Sequence, residues 1–289
     1  MDSNYWVIID VSNMAYRAWA VLGSLQHEGA ATGVVYGIAQ ALEALCEDYG
    51  TRQLVCCFDA GHDARTHLYP KYKENRKEKR AKETDVEKQG RAQLLRQIDE
   101  LRTRHLPAVG LQNILHSPGY EADDLMAAAC NAIPTRDSGV IMSSDEDLWQ
   151  CITPRIRCKS PISGKMTTYD SFCKAWPPCK PSDWPTIKAW AGDDGDNIDG
   201  IDGVGLKTSW KYITGQLPET HKIYKAFGAS HDVYKRNVQL MKLPVAGMPP
   251  ATLVLQDKPL LWSVLYKAIG AKVRNDKETG RGFGFGGAV

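Results

Sequence analysis

Short apolar runs that end in aspartate alternate with helical periodicity in the first half of this chain, and this pattern constrains the fold most. Residues Tyr5 to Ile9 form one such run before Asp10, and Leu54 to Phe58 form another before Asp59. Between the two runs, apolar residues from Val34 to Leu45 recur at the spacing of one helix face. This strand, helix, strand order predicts a right-handed crossover, so the sheet is expected to be parallel.

The same pattern occurs again further along the chain. The runs Leu111 to Leu115 and Val140 to Met142 are predicted strands, and Ala127 to Ile133 is a predicted helix between them. Ile156 is predicted to begin one more strand. The expected fold class is therefore α/β with a parallel-sheet core.

A proline-dense joint over residues 177–185 separates this pattern from a helical part of the chain. Two short helices are predicted beyond it, at Trp184 to Trp190 and Leu206 to Ile213. The predicted organisation is an α/β core over residues 1–176, a helical part over residues 177–275 and a flexible glycine-rich tail over residues 276–289.

Charge is segregated along the 289 residues, although the formal net charge is only +2. The segment from Lys71 to Arg104 is strongly basic, whereas most clustered acids lie between Glu121 and Asp202. Because 43% of the residues are hydrophobic and 24% are charged, a folded globular protein is expected and wholesale disorder is not. The separation of charge predicts an anionic partner and a cation site.

The cysteines and the apolar runs exclude other classes of protein. The eight cysteines contain no CxxC pair and have no histidine pair at zinc spacing, so they predict neither a disulfide framework nor a zinc finger. The seven histidines show no triad pattern and receive no catalytic role. No apolar run is long enough to span a bilayer, and the chain starts with a strand-like segment, so we expect a cytoplasmic protein.

Acidic residues follow the predicted strands. In an open parallel sheet, functional residues gather outside the carboxyl ends of the strands. A lone aspartate after a strand is more often a turn or a helix cap, but four such groups would repel one another unless a cation lay among them. The expected groups are Asp10, then Asp59, then Glu121 with Asp123 and Asp124, and finally Asp145 with Asp147.

Oxygen ligands without histidine or cysteine favour a hard ion, Mg²⁺ or Mn²⁺, over zinc. Glu121 and Asp124 are three residues apart at a predicted helix start, with Asp123 beside them, so one short segment could bridge two ions. Two ions about 4 Å apart would support in-line hydrolysis of a phosphodiester.

A second acidic cluster lies in the glycine-rich segment from Gly192 to Gly205. It lacks the final glutamate of an EF-hand, and Leu206 before Lys207 breaks a Walker A pattern. A turn containing Gly203 and Gly205 remains, which with Lys207 could bind a phosphate through free backbone amides. A simple tight turn is the alternative.

The basic stretch from Lys71 to Lys82 has few apolar residues and cannot be core. A solvated charged helix is the usual explanation for such a run. Beside an acidic metal site, however, its cations and Tyr72 suit the backbone and a stacked base of single-stranded nucleic acid.

Five motifs in this order resemble the structure-specific 5′ nucleases, in particular the bacteriophage 5′-3′ exonucleases and flap endonucleases and the nuclease domain of bacterial DNA polymerase I. The resemblance covers roughly residues 5–215. The motifs are DVSNMAYR at 10–17, YKENR at 72–76, GYEADDL at 119–125, SDED at 144–147 and GDDGDNIDGIDGVG at 192–205.

The resemblance implies a site for two or more Mg²⁺ or Mn²⁺ ions that is built only from aspartate and glutamate. The implied metal ligands are Asp10, Asp59, Glu121, Asp123, Asp124, Asp145, Asp147, Asp193 and Asp196.

The resemblance also implies roles for basic and glycine residues. Lys73 and Arg76 would contact the scissile phosphate, and Tyr72 would stack near it, at the base of a helical arch over about residues 62–105. The region from Gly200 to Lys207 would form a helix-turn-helix clamp on duplex DNA that can hold K⁺. Further residues expected to bind DNA are Arg17, Lys79 and Arg80.

The expected function is a 5′-3′ exonuclease and flap endonuclease that releases 5′-phosphorylated products, in replication or primer removal. The expected partner is DNA with a free or flapped 5′ end, with RNA/DNA hybrid as a further substrate. We expect a monomer in the cytoplasm, or in the host cytoplasm if phage-encoded, with any polymerase a separate chain. The alternatives are a ribonuclease of the same fold that prefers RNA and a non-catalytic DNA-binding protein.

Overall fold

A computed structural model describes residues 3–271. Its strands are β1 (Tyr5–Asp10), β2 (Gln26–His27), β3 (Ala30–Ala31), β4 (Gln53–Cys57), β5 (Ile114–Leu115), β6 (Ser138–Met142), β7 (Ile156–Lys159) and β8 (Met166–Thr167). Its α-helices are α1 (Val11–Leu22), α2 (Gly33–Tyr49), α3 (Asp63–Leu68), α4 (Glu74–Ala81), α5 (Asp85–Glu100), α6 (Leu106–Val109), α7 (Ala122–Ala132), α8 (Tyr169–Ala175), α9 (Trp184–Ala191), α10 (Leu206–Ile213), α11 (Tyr224–Ala229), α12 (His231–Met241) and α13 (Trp262–Ala268).

The main sheet has the strand order β5, β4, β1, β6, β7, β8. Strand β1 lies at its centre and runs parallel to both neighbours, with Val7 opposite Leu54 of β4 and Val140 of β6. Only the edge strand β8 is antiparallel within this sheet. The predicted parallel α/β core is therefore confirmed, and the carboxyl ends of β4, β1 and β6 lie side by side at one edge.

Each face of the sheet is covered by its own hydrophobic core. Because successive side chains of a strand point to opposite faces, Val7 and Ile9 enter one core while Trp6 and Ile8 enter the other. The first core contains residues of α1, α2, α5, α6 and α13, and the second contains residues of α7. Burial on both faces explains why these strands are continuously apolar.

Several predicted elements are confirmed with shifted ends. The helices expected at Trp184 and Leu206 form, and Ile156 does begin a strand. The strand predicted at 54–58 lies one residue earlier, and the helix predicted at 127–133 begins at Ala122, because Glu121 and Asp124 form a capping box.

The strand predicted at Leu111 to Leu115 is shorter than expected. Only Ile114 and Leu115 pair with β4, whereas the backbone N–H of Leu111 donates to the carbonyl of Leu106 at 3.1 Å and closes helix α6. Leu111 therefore serves the first core as part of a helix end. An apolar residue is equally suited to a buried strand and to a buried helix end, so the sequence does not distinguish the two.

The last described residues return to the α/β core. Gln256 and Gln53 exchange hydrogen bonds of 2.8 and 3.2 Å between the side chain of Gln53 and the backbone of Gln256. Helix α13 buries Trp262 and Leu265 in the first core. The division at residue 176 remains a prediction, but part of the expected helical region packs on the sheet domain, and the tail over 276–289 lies outside the described residues.

The basic segment divides into an exposed and a buried part. Helix α4 buries no side chain, whereas α5 buries Leu94 and Gln97 completely. The side chain of Gln97 accepts a hydrogen bond of 3.0 Å from the backbone N–H of Val34. One face of the segment from Leu94 to His105 therefore contributes to the core. The expected arch over about residues 62–105 stays a prediction. None of the helices within residues 3–271 is both long enough and apolar enough to cross a membrane.

Adjacent leucines on α5 test this division. We expect Leu94→Ala to lower the free energy of unfolding by about 2–5 kcal/mol, because Leu94 is fully buried. The matched change Leu95→Ala, at a residue 45% exposed, should alter it by less than about 0.5 kcal/mol. Urea unfolding followed by circular dichroism measures both, and equal effects would contradict the placement of α5 in the core.

Candidate metal centre and nucleic-acid interface

Three acids lie at the carboxyl edge of three neighbouring strands. Asp10 is the last residue of β1, Asp59 lies two residues beyond β4, and Asp145 lies three residues beyond β6. Asp10 also caps helix α1, because its carboxylate accepts the backbone N–H of Asn13 at 2.8 Å. The sheet thus brings together three acids that lie far apart in the sequence, at positions 10, 59 and 145.

The first turn of α7 adds two more acids to this edge. The carboxylate of Asp59 accepts a hydrogen bond of 2.9 Å from the backbone N–H of Ala122, which ties the start of α7 to the end of β4. Glu121 and Asp123 flank that contact in the sequence. The contact confirms that the GYEADDL motif reaches the strand ends, as expected.

The acids at this edge interact unfavourably with one another. Burial, followed by the charges of Asp59 and Asp145, raises the pKa of Asp10 to about 7. Burial, followed by Asp145 and Asp10, raises the pKa of Asp123 well above its ordinary value. Within residues 3–271, the Oδ1 atom of Asp123 is buried and has no hydrogen-bond partner. Crowded carboxylates with a free oxygen fit a cation chemically.

Cationic side chains bind the remaining acids. Among residues 3–271, no three Asp, Glu, His or Cys side chains are close enough together to surround one ion. Instead, Lys73 pairs with Glu121 and lies 3.4 Å from Asp196, and the guanidinium of Arg76 lies 2.7 Å from Asp196. Burial disfavours the charge of Lys73, but Glu121 and Asp196 raise the pKa of Lys73 above its ordinary value.

Asp124 has contacts that differ from the expected ligand role. It is fully buried, and its two oxygens accept hydrogen bonds of 2.5 and 2.8 Å from the guanidinium of Arg65. One of these oxygens also accepts the backbone N–H of Val245 at 2.8 Å. A bidentate arginine therefore occupies the carboxylate of Asp124, whose role as a metal ligand stays a prediction.

Tyr72 is buried rather than presented to a nucleic acid base. Its side chain is 2% exposed, and its hydroxyl lies 2.7 Å from Glu121 and 3.0 Å from Asp196. The ring contacts His62 edge-on at 5.7 Å between centroids. The expected stacking role is therefore corrected, since Tyr72 links two acids in the interior.

The other residues expected to bind DNA lie outside this cluster. Lys79 and Arg80 are exposed on α4, Lys207 is exposed in the first turn of α10, and Arg17 is half-buried on α1. Their positions are compatible with contact to an extended ligand.

Sequence reasoning missed Lys188, which joins two acidic segments. Its ammonium pairs with Asp147 and lies 2.7 Å from Asp193. Burial raises the pKa of Asp147 to about 6 even though Lys188 lowers it, while Lys188 outweighs burial and lowers the pKa of Asp193. The only sequence signal was a single lysine in the apolar helix α9, shortly before the acidic loop.

The glycine turn has the backbone that its sequence predicts. Gly203 has a φ of +74°, which favours glycine, and Gly205 precedes α10 in an extended conformation. A Cβ atom at Gly205 would meet nothing within 4 Å, so this side of the turn is open. Open space before a helix start leaves room for a phosphate group.

The chain is similar to known nucleases over most of its length. The family model described as 5′-3′ exonuclease, N-terminal resolvase-like domain, matches residues 5–176. A 5′-3′ exonuclease of Aquifex aeolicus is 30% identical over 205 residues, covering 70% of this chain and 66% of the relative. DNA polymerase I of Mycobacterium tuberculosis is 28% identical over 216 residues, covering 72% of this chain but only 22% of the polymerase. The chain thus spans about a fifth of the polymerase I relatives that it matches.

Solved structures share the fold. The zinc-bound 5′-exonuclease of phage T5 superposes with a TM-score of 0.70 at 23% identity, covering 83% of this chain and 90% of the phage protein. A complex of the T5 flap endonuclease with DNA and metal ions gives the same TM-score and coverage. These similarities confirm the expected 5′-nuclease type of fold.

Replacement of Lys188 tests its role as the counter-charge of Asp147 and Asp193. We expect Lys188→Met to lower the free energy of unfolding by on the order of 2 kcal/mol without divalent ions, because two partly buried carboxylates lose their partner. Added Mg²⁺ should recover more stability in this variant than in the wild type.

Thermal unfolding with and without Mg²⁺ measures this effect. The matched control is Lys174→Met, at an exposed residue of α8. If both variants unfold at the same temperature and respond equally to Mg²⁺, Lys188 does not balance these acids.

Proposed function

The chain belongs to the 5′-3′ exonuclease family, and we propose that it hydrolyses DNA phosphodiester bonds at free or flapped 5′ ends with the help of divalent metal ions. The observation that carries the proposal is the crowding of Asp10, Asp59, Asp123 and Asp145 at one sheet edge, where the pKa of Asp10 and of Asp123 is raised. Such an edge is unfavourable without a cation and suited to one.

The donor set favours Mg²⁺ or Mn²⁺, since it consists of carboxylate oxygens. When bound, two such ions supply an activated water and stabilise the leaving oxygen of the displaced phosphodiester. Asp124 is left out of the set because Arg65 binds it. The proposed ligands are Asp10, Asp59, Glu121, Asp123, Asp145, Asp147, Asp193 and Asp196.

Lys73 and Arg76 are the proposed catalytic cations. Glu121 and Asp196 keep Lys73 protonated, so its ammonium acts as a fixed positive charge and not as a base. Arg76 is half-exposed beside it, with its guanidinium on Asp196. Both can oppose the negative charge that grows on the phosphate in the transition state. Tyr72 would orient Glu121 and Asp196 through its hydroxyl.

The remaining basic and glycine residues would bind DNA without reading its sequence. Arg17, Lys79 and Arg80 would contact the strand that carries the 5′ end. Gly203, Gly205 and Lys207 would hold duplex phosphates, and K⁺ would bind at the glycine turn.

In the cell, we propose removal of flaps or primers in the cytoplasm by a monomer. The products would carry a 5′-phosphate.

A panel of end-labelled substrates tests this function against its alternatives. The panel contains flapped DNA, nicked DNA, single-stranded DNA, an RNA/DNA hybrid and single-stranded RNA, each with Mg²⁺ and with excess chelator. We expect cleavage of the DNA substrates near the 5′ end only when the metal is present. Preference for RNA would support a ribonuclease, and binding without any cleavage would support a DNA-binding protein.

Removal of one carboxylate charge tests the metal site. We expect Asp123→Asn and Asp145→Asn each to abolish cleavage while changing the DNA dissociation constant little, because metal charge acts mainly on the transition state. The control Asp170→Asn changes an exposed acid of α8 and should cleave normally. Quench-flow cleavage and fluorescence anisotropy in Ca²⁺ provide the two measurements, and parallel losses in both would contradict the proposal.

Substitution of Lys73 should affect the cleavage rate, whereas substitution of Lys79 should affect DNA binding. We expect Lys73→Ala to lower the single-turnover rate on the order of 100-fold at saturating enzyme, since its charge opposes charge that develops in the transition state. Lys79→Ala and Arg80→Ala should instead weaken binding and flatten its salt dependence by about one unit each. If Lys73→Ala cleaves at the wild-type rate with saturating enzyme, Lys73 only contributes to electrostatic binding of the DNA backbone.

A further inference from the structure

The candidate acids come from separate segments, and their relative positions must be set by other parts of the chain. One segment is the first turn of α7, a second is the short helix Glu146–Cys151 with Asp145 before it, and a third is the loop over residues 193–199. Residues 237–245, at the end of α12 and just beyond, contain no acid but contact all three segments. We call residues 237–245 the brace.

The brace contacts the α7 segment through a buried arginine. The Nε atom of Arg65 donates to the carbonyl of Leu240 at 2.8 Å, while its guanidinium binds Asp124 and lies 3.1 Å from Glu121. The backbone N–H of Val245 donates to Asp124 at 2.8 Å. Two backbone groups of the brace thereby fix the turn that carries Glu121 and Asp123.

A glutamine joins the brace to the segment of Asp145 and Asp147. The side-chain amide of Gln150 donates to the carbonyls of Met241 and Asp147 at 3.0 and 2.8 Å. Its oxygen accepts the backbone N–H of Leu243 at 2.7 Å. Gln150 thus connects the backbone of a candidate ligand directly to the brace.

An asparagine inside the brace reaches the third segment. Asn237 is fully buried, and its amide donates to the carbonyls of Ala189 and Asp199, each at 2.8 Å. Ala189 follows Lys188 in α9, and Asp199 ends the acidic loop. The brace therefore fixes both sides of the loop that carries Asp193 and Asp196.

We propose that the brace sets the spacing of the three acidic segments, and that Arg65, Asp124, Gln150 and Asn237 are positioning residues for the metal ligands. The inference rests on the proposed function, because it takes those acids as ligands. Asp124 acts through Arg65 and Val245 and does not touch the metal. Residues that hydrogen-bond to metal ligands hold those ligands in place. Their loss should therefore lower the metal affinity and the cleavage rate, and not the affinity for DNA.

Two glutamines provide a matched test. Gln150→Met preserves size but removes all three hydrogen bonds, whereas Gln26→Met makes the same change at an exposed position on β2, outside the brace. We expect Gln150→Met to weaken Mn²⁺ binding by about 10-fold or more and to lower the single-turnover rate similarly. DNA affinity in Ca²⁺ should remain within about twofold of wild type. Gln26→Met should match the wild type in all of these measurements.

Three measurements separate positioning from simple stability. Calorimetry with Mn²⁺ alone, without DNA, gives the metal affinity, and hydrogen exchange of the Leu243 amide reports the lost contact to the brace. Circular dichroism confirms folding. If Gln150→Met does not fold, Arg65→Lys takes its place, since it retains the charge but cannot reach Asp124 and Leu240 together.

The positioning role of the brace is contradicted if Gln150→Met folds, shows faster hydrogen exchange at the Leu243 amide and still binds Mn²⁺ with wild-type affinity. If the wild type binds Mn²⁺ but cleaves no substrate in the panel, the proposed function fails while the Mn²⁺ titrations still decide the brace. If the wild type binds no Mn²⁺, both proposals fail.

Discussion

The electrostatic cost of gathering carboxylates at one sheet edge is the constraint on which this structure depends. Asp10 and Asp123 lie where burial and neighbouring acids disfavour their charged forms, as their raised pKa values record. A protein keeps such an arrangement only if positive charge compensates it. In the described part of the chain, Arg65, Lys73 and Lys188 bind neighbouring acids, namely Asp124, Glu121 and Asp147. The charge of Lys73 also partly offsets the raised pKa of Asp123.

The three cations have different consequences for function. Arg65 is buried and binds Asp124 through two parallel hydrogen bonds, a geometry that favours a permanent structural contact. Lys73 and Lys188 each bridge two candidate ligands through a single ammonium, which has no fixed orientation. Ammonium groups of this kind can exchange partners when a phosphate or a metal ion arrives. The site thus combines one rigid anchor with two cations suited to rearrangement.

The helical part of the chain packs against the acidic segments of the sheet domain and also carries the glycine turn that is proposed to bind DNA. Helix α12 and the brace contact every acidic segment beyond the strand ends, while the open glycine turn lies before α10. If duplex DNA binds at the turn as proposed, its binding and the arrangement of the acids are connected through packed helices. That connection gives a physical route by which correct docking of a substrate would favour the active arrangement of ligands.

The sequence by itself determined the parallel sheet, the edge at which the acids meet and the family, because these follow from local periodicity, from strand ends and from closely spaced motifs. It also placed α9 and α10 correctly, since each has its own apolar face and start signals. The sequence contains all of these residues but does not show that Asp124 binds Arg65, that Tyr72 is buried or that Lys188 pairs with Asp147. Asp123 and Asp124 are the same residue type at adjacent positions. The packing of α3, α7 and the brace sets the direction of each side chain, so that Asp124 binds Arg65 while Oδ1 of Asp123 has no hydrogen-bond partner within residues 3–271. Those partners are 41 to 121 residues apart in the chain, so tertiary structure alone brings them together.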